Sequence, residues 1–134
     1  MAKLSTSSGL AQKYFDAAFT ESDRRIAQAF LWALKPLTNL RRPVPLPSMI
    51  AFLMVALDEG QGVTTYARGA GIDHASMSRI LHSIGDRGRN GSHGLGLIRI
   101  ERRLADQAKT QIFLTSKGRA IAKDIFSQLR RIKY

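Results

Sequence analysis

The chain has no cysteine, which excludes disulfides, thiolate metal centres and thiol redox sensing while leaving the compartment open. Its longest apolar runs, around Ala29 to Leu34 and Met49 to Leu57, fall well short of the roughly 18 residues that a membrane span needs. No signal peptide is expected, because Lys3 and Leu4 lead into the polar run Ser5 to Ser8 without a hydrophobic region. A soluble cytoplasmic, nucleoid-associated protein is the expectation. Acidic residues number only 10 of 134, too sparse to suggest a catalytic carboxylate pair. His74 and His82 stand eight apart on one expected helix, too far to share an ion. Neither a Gly-x-Ser-x-Gly elbow nor a Gly-x-x-x-x-Gly-Lys-Ser/Thr loop is present. The glycines between positions 85 and 96 do not follow a strand, which argues against a dinucleotide site. No enzyme, no metal and no cofactor is expected.

Positive charge is what the chain has in excess. The formal net charge is +11, and it is unevenly placed. Up to Ser78 there are 8 Lys/Arg against 6 Asp/Glu; from Arg79 onward there are 13 against 4. A polyanionic partner should therefore meet the second half. Nucleic acid is the natural candidate, since a basic protein gains free energy by releasing counterions condensed on phosphate. An anionic membrane surface or an acidic protein would satisfy the same charge.

Length and an apolar fraction of 44% fit one domain with a real core. A first helix is expected from Gly9 to about Thr20. A second should be capped by Ser22 or Asp23, run to about Leu34 and end near Pro36. This second helix is apolar almost all round (Ile26, Ala29, Phe30, Leu31, Trp32, Leu34) and should be buried on more than one side, with a partner chain as the second wall. The segment Arg41 to Pro47 carries three prolines in five residues and reads as a stiff extended connector. Ser48 then caps an apolar helix from Met49 to about Leu57, closed by Gly60 and Gly62.

Val63 and Thr64 open a short helix that Gly71 stops in the left-handed conformation. Asp73 is placed to cap the next helix, His74 to about Ile84, so the pair forms a helix-turn-helix unit. Ala67, Ile72, Met77, Ile80 or Leu81, and Ile84 are its packing residues. His74, Ala75, Ser76, Ser78 and Arg79 are left to face outward, and this short polar set ending in arginine suits a helix entering a major groove, with Thr64 of the preceding helix as a further DNA-binding candidate. A plain solvated surface helix is the alternative. Downstream, Leu97 to Arg102 alternates apolar and charged residues, Ala105 to Lys109 is polar, and Thr110 to Leu114 is strand-like. This is a hairpin whose first strand and tip carry Arg102, Arg103 and Lys109: a wing that can lie along phosphates or enter a minor groove, or otherwise an edge hairpin with gatekeeper charges. Thr115 caps a last helix running to the C-terminus, with Ile121, Ile125, Leu129 and Ile132 as one apolar stripe.

The chain resembles the MarR-type winged-helix family in Val63-Thr64-Thr65-Tyr66-Ala67 through Ile72 to Ile84, in Gly96-Leu97-Ile98, and in Asp106 ahead of Ile112-Phe113-Leu114-Thr115-Ser116-Lys117-Gly118. The Leu-Thr-x-x-Gly ending at Gly118 is the most specific piece. The resemblance implies a mainly α fold with a small β-wing, a winged helix-turn-helix dimerising through its N- and C-terminal helices. Residues 1–47 would hold dimerisation helices and connector, 48–114 the DNA-binding region, and 115–134 the C-terminal dimerisation helix. It implies a homodimeric transcription regulator reading an inverted repeat in double-stranded DNA, and a small aromatic effector as a further partner. Tyr14, Phe15, Phe19, Phe30 and Trp32 could line such a pocket, although an aromatic set at helical spacing more often belongs to a core. A structural DNA-binding adaptor of a plasmid or phage, in segregation or nucleoprotein assembly, is the second reading. The chain departs from the family in two places. Gln107 and Ala108 follow the wing aspartate, where an arginine usually braces the hairpin. An extra glycine-rich stretch, Asp86 to Gly96, resembles winged-helix proteins of phages and mobile elements, and its Arg87 and Arg89 could follow the DNA backbone. A tolerated surface insertion is the alternative.

Overall fold

A computed structural model of the chain describes residues 18–86, 94–103 and 106–132, with side chains described up to Arg102 in the second segment and from Lys109 in the third. The elements, in order, are α1 (Glu21–Thr38), α2 (Leu46–Leu57), α3 (Val63–Ala70), α4 (His74–Ile84), β1 (Ile98–Arg103), β2 (Asp106–Leu114) and α5 (Ser116–Leu129). Among the described residues, five helices and a two-stranded antiparallel hairpin make a winged helix-turn-helix.

Helix α1 begins earlier than Ser22 or Asp23 predicts. Thr20 is its cap: the Asp23 N–H donates to Thr20 Oγ1 and the Thr20 N–H donates to Asp23 Oδ2, each at 3.0 Å. This reciprocal capping box satisfies two donors that a helix start leaves open. It also makes Ala18 to Thr20 non-helical, so the expected first helix does not reach Thr20; the rest of that expectation lies outside the described residues. Nor does α1 stop near Pro36, which sits inside the helix. The missing N–H costs one late hydrogen bond, and the final turn is held by Ala33 and Leu37, which are buried in the core.

The proline-rich connector is shorter than expected. Pro45 is the cap of α2, and Leu46 and Pro47 form its first turn, where a proline has no helical partner for an N–H to lose. Ser48 is thereby inside the helix and buried, not its cap. Gly71 closes α3 at φ +68°, as expected. Thr115 caps α5 by accepting from the Gly118 N–H at 3.0 Å, but the helix ends at Leu129, short of the C-terminus.

The core joins Phe52 and Val55 of α2, Tyr66 of α3, Met77, Leu81 and Ile84 of α4, Leu97, Ile98 and Ile112 around the hairpin, and Ala122 and Ile125 of α5. Alternation along the strands puts Ile98 opposite Leu114 and Ile100 opposite Ile112 on the inner face. Arg99 pairs with Phe113 on the outer face, its guanidinium stacked 4.8 Å from the ring centre and ion-paired with Glu101. Helix α5 packs on α1. Even so, among the described residues nothing buries α1 on a second side: Phe30, Leu31 and Trp32 are 54%, 58% and 47% exposed. Phe19 is also exposed, so these aromatics are surface, not core; Tyr14 and Phe15 lie outside the described residues.

Candidate nucleic-acid interface

The helix-turn-helix presents α4 outward because its apolar residues fall on one side. Met77, Leu81 and Ile84 are fully buried, while His74, Ala75 and Arg79 are exposed and Ser76 and Ser78 half-buried. The exposed side of the first two turns thus carries His74, then small residues with one long cation, Arg79. Asp73 fixes the start of the helix by accepting the Ser76 N–H on Oδ1 at 2.9 Å. Its Oδ2 accepts the Ser76 hydroxyl at 2.8 Å, and Ser76 Oγ in turn accepts from Arg79 Nη2 at 3.2 Å. The backbone and hydroxyl bonds from Ser76, with Arg79 nearby, hold the Asp73 carboxyl below its ordinary pKa.

Thr64 at the start of α3, His74 at the start of α4 and Lys109 on β2 line one polar cleft of about 510 Å³, together with Thr65, Thr110 and Gln111. Gly62, the cap of helix α3, offers no side-chain hydrogen bond, and it lines the same cleft. Lys109 belongs to the second strand, which begins at Asp106, rather than to the hairpin tip where the polar run had placed it. The strand extends because Arg103 still pairs with Asp106 beyond a register shift at Arg102/Arg103. Arg102 is exposed near the end of β1; Arg103 shares that strand, its side chain lying outside the described residues. Arg87 and Arg89 also lie outside them. The structure therefore gathers Thr64, His74 and Lys109 at one cleft, aligns Ala75, Ser76, Ser78 and Arg79 along the neighbouring helix face, and sets Arg102 farther out on the wing. Sequence reading passed over Thr65 and Gln111, which become visible only when β2 is folded against α3. Among the described residues no group of histidines and carboxylates could hold a metal ion, and no helix is long and apolar enough to cross a membrane.

The brace of the wing is supplied from an unexpected place. Glu59, just after α2, accepts the Leu114 N–H at 2.8 Å and both oxygens accept from Arg119 Nη2 of α5 at 2.9 Å. Burial works to raise the Glu59 pKa, but the Leu114 N–H and the Arg119 guanidinium, with Arg99 farther off, outweigh it and hold the carboxyl low. The Gly60 N–H donates to the Ile112 carbonyl at 2.7 Å and the Ile112 N–H donates to the Gln61 carbonyl at 3.0 Å, so the hairpin is laced to the helix-turn-helix through backbone as well. Tyr66 donates its hydroxyl to the Asp58 carbonyl and accepts from the Gln61 N–H, pinning the same linker from below.

The extra stretch enters and leaves through a narrow neck. Leu95 N–H bonds the Ser83 carbonyl, Gly96 N–H the Gly85 carbonyl and Leu97 N–H the Ile84 carbonyl, at 3.2, 2.8 and 2.8 Å. The two segments of this neck approach so closely that a Cβ on Gly94 would stand 2.0 Å from the Gly85 oxygen. Lys117 donates to the Leu95 carbonyl at 3.0 Å and Arg42 to the Ser83 carbonyl at 3.4 Å.

This fold is that of the MarR-type winged helix. Among solved structures, the chain is similar to a MarR-family transcriptional regulator from Silicibacter pomeroyi, at TM-score 0.53 and 22% identity over 81% of this chain and 66% of that one. It is similar to RV1404 from Mycobacterium tuberculosis, at TM-score 0.63 and 16% identity over 95% of this chain and 79% of that one. It is also similar to reduced AbfR in a structure bound to DNA, at TM-score 0.55 and 17% identity over 90% of this chain and 80% of that one. The chain thus spans just under two thirds of the length of the Silicibacter pomeroyi regulator. No protein-family model matches the chain, and no curated protein does.

Proposed function

We propose that the chain is a non-enzymatic, sequence-specific regulator that binds double-stranded DNA as a homodimer on an inverted repeat. The observation that carries this reading is the exposed face of α4, where Ala75, Ser76 and Ser78 surround a single arginine between His74 and His82, set beside a basic wing in a MarR-type fold. A helix surfaced with Ala75, Ser76 and Ser78 can approach a groove floor closely, and Arg79 then reaches base edges. Thr64, His74 and Lys109 around the cleft, Arg102 and Arg103 on the wing, and Arg87 and Arg89 of the extra stretch are assigned to the backbone. Homodimerisation through the segments 1–47 and 115–134 would cover Phe30, Leu31 and Trp32, an exposed apolar set that a lone chain leaves in water. A small aromatic effector would lodge beside the same helices, where Arg25, Trp32 and Arg131 line a groove of about 620 Å³.

Arg79→Ala and Arg102→Ala test the division of labour. The first should weaken a specific site by about 1–3 kcal/mol and leave non-specific DNA nearly unaffected; the second should weaken both and lower the salt slope by about one. Equal losses on all DNA from both changes would contradict it. The second reading, a plasmid or phage adaptor coating DNA and recruiting a protein, is favoured by the excess of positive charge from Arg79 onward. It would show binding to every fragment, lost steeply with salt.

A further inference from the structure

Arg79 does not project freely from its helix, and what holds it is unusual for a surface arginine in having a defined polarity. Asp73, its carboxyl kept ionised at neutral pH, can only accept hydrogen bonds. It takes the Ser76 N–H on one oxygen and the Ser76 hydroxyl proton on the other. Having given away its single proton, the Ser76 oxygen is left as an acceptor, and Arg79 Nη2 donates to it across one helical turn at 3.2 Å. One cap residue thus orders both the helix start and, through Ser76, the guanidinium. The remaining donors of Arg79 keep the planar fork geometry that matches two acceptors side by side. In a major groove the base presenting that pattern is guanine, through O6 and N7.

Resting on the reading of this face as a DNA-binding surface, we propose that Arg79 recognises a guanine in each half-site and that Ser76, oriented by Asp73, is the residue that positions it. Ala75 and Ser78 cannot reach as far as an arginine, and His82, exposed one turn further along, offers single ring nitrogens rather than a planar fork. Fixing the guanidinium before binding reduces the rotamer entropy lost on complex formation, so the network acts on discrimination rather than on general attraction to phosphate.

The test starts with the full chain and a randomised duplex pool, selected in parallel with wild type and Arg79→Ala. A base pair enriched as G·C by the wild type only is then placed in matched duplexes carrying G·C or A·T. The wild type should prefer the G·C duplex by between about fivefold and about a hundredfold, and Arg79→Ala should bind the two equally. Ser76→Ala, which keeps the backbone bond to Asp73, should lose at least about threefold of the preference for G·C over A·T with its unfolding midpoint unchanged. Ser76→Thr, which restores the hydroxyl, should recover it. An undiminished preference in Ser76→Ala, or an equal loss on both duplexes, overturns the positioning role. If both proteins select the same site, Arg79 contacts phosphate and the guanine assignment is wrong while the regulator reading stands. A wild type that selects no sequence overturns that reading and this one together.

Discussion

Gly118 shows how one missing side chain sets the seat of the last helix. A Cβ there would stand 2.0 Å from the Leu97 oxygen, the same carbonyl that accepts the Thr115 N–H at 3.1 Å. The glycine therefore lets α5 begin directly against the chain entering the wing, and Gly118→Ala must push two backbones apart. We expect a loss of about 1–3 kcal/mol, read as a lower unfolding midpoint; an unchanged midpoint would mean the two segments are loosely joined. Glu59 binds the same region by charge. Glu59→Ala leaves the Leu114 N–H without a partner and should cost about 1–3 kcal/mol at neutral pH. Its folded carboxyl titrates below the ordinary glutamate value. Its contribution is therefore complete above the unfolded pKa and is lost as pH falls through the lowered folded one. The gap in unfolding midpoint between wild type and Glu59→Ala should narrow in acid, and a gap independent of pH would remove the ion pair from the explanation. Locality decides which of these features the sequence discloses. Gly71 and the Asp73 cap are signalled by neighbours within three residues, and both stand where expected. The bond between Glu59 and Arg119 spans 60 positions, and no pattern along the chain announces it.

At the scale of elements, the helix-turn-helix and wing were legible because burial imposes a period. The stripe Met77, Leu81, Ile84 and the alternation Ile98, Ile100 mark inward faces directly. Helix ends were less so. Pro36 reads as a stop and Pro47 as connector, yet packing carries α1 through the first, and the open first turn of α2 accommodates the second. Thr20 and Ser22 are both good caps, and only the reciprocal bond with Asp23 selects the earlier one. The unexpected brace matters at this level, since Gln107 stands where the family resemblance in the sequence leads one to expect an arginine. Glu59 and Arg119 hold the base of the hairpin, while its outer end, bearing Arg102, extends beyond them. Accordingly, Glu59→Ala should broaden wing signals in NMR and weaken DNA affinity several-fold while leaving the spectrum of α4 in place. Loss of α4 dispersion would place the brace under the whole lobe.

For the whole molecule, exposed apolar surface and positive charge lie in different parts of the chain. Phe30, Leu31 and Trp32 lie on α1, and the basic excess lies from Arg79 onward. Phe30→Asp combined with Trp32→Asp should give a monomer by sedimentation, with the fold of a single chain retained, because neither residue belongs to the core. Such a monomer should bind a two-fold site far more weakly than the parent, since two linked half-sites raise the effective concentration of the second. Dimers that survive both changes would place the interface elsewhere. The central claim, sequence-specific recognition by α4, is tested most directly by footprinting the purified chain on genomic fragments, its own upstream region included, at two salt concentrations. The account predicts a discrete protected inverted repeat, with half-sites about one helical turn (~34 Å) apart, occupied by two protomers and retained at the higher salt. Uniform weak protection of every fragment, abolished by salt, would contradict it and leave only the attraction of a basic protein for phosphate.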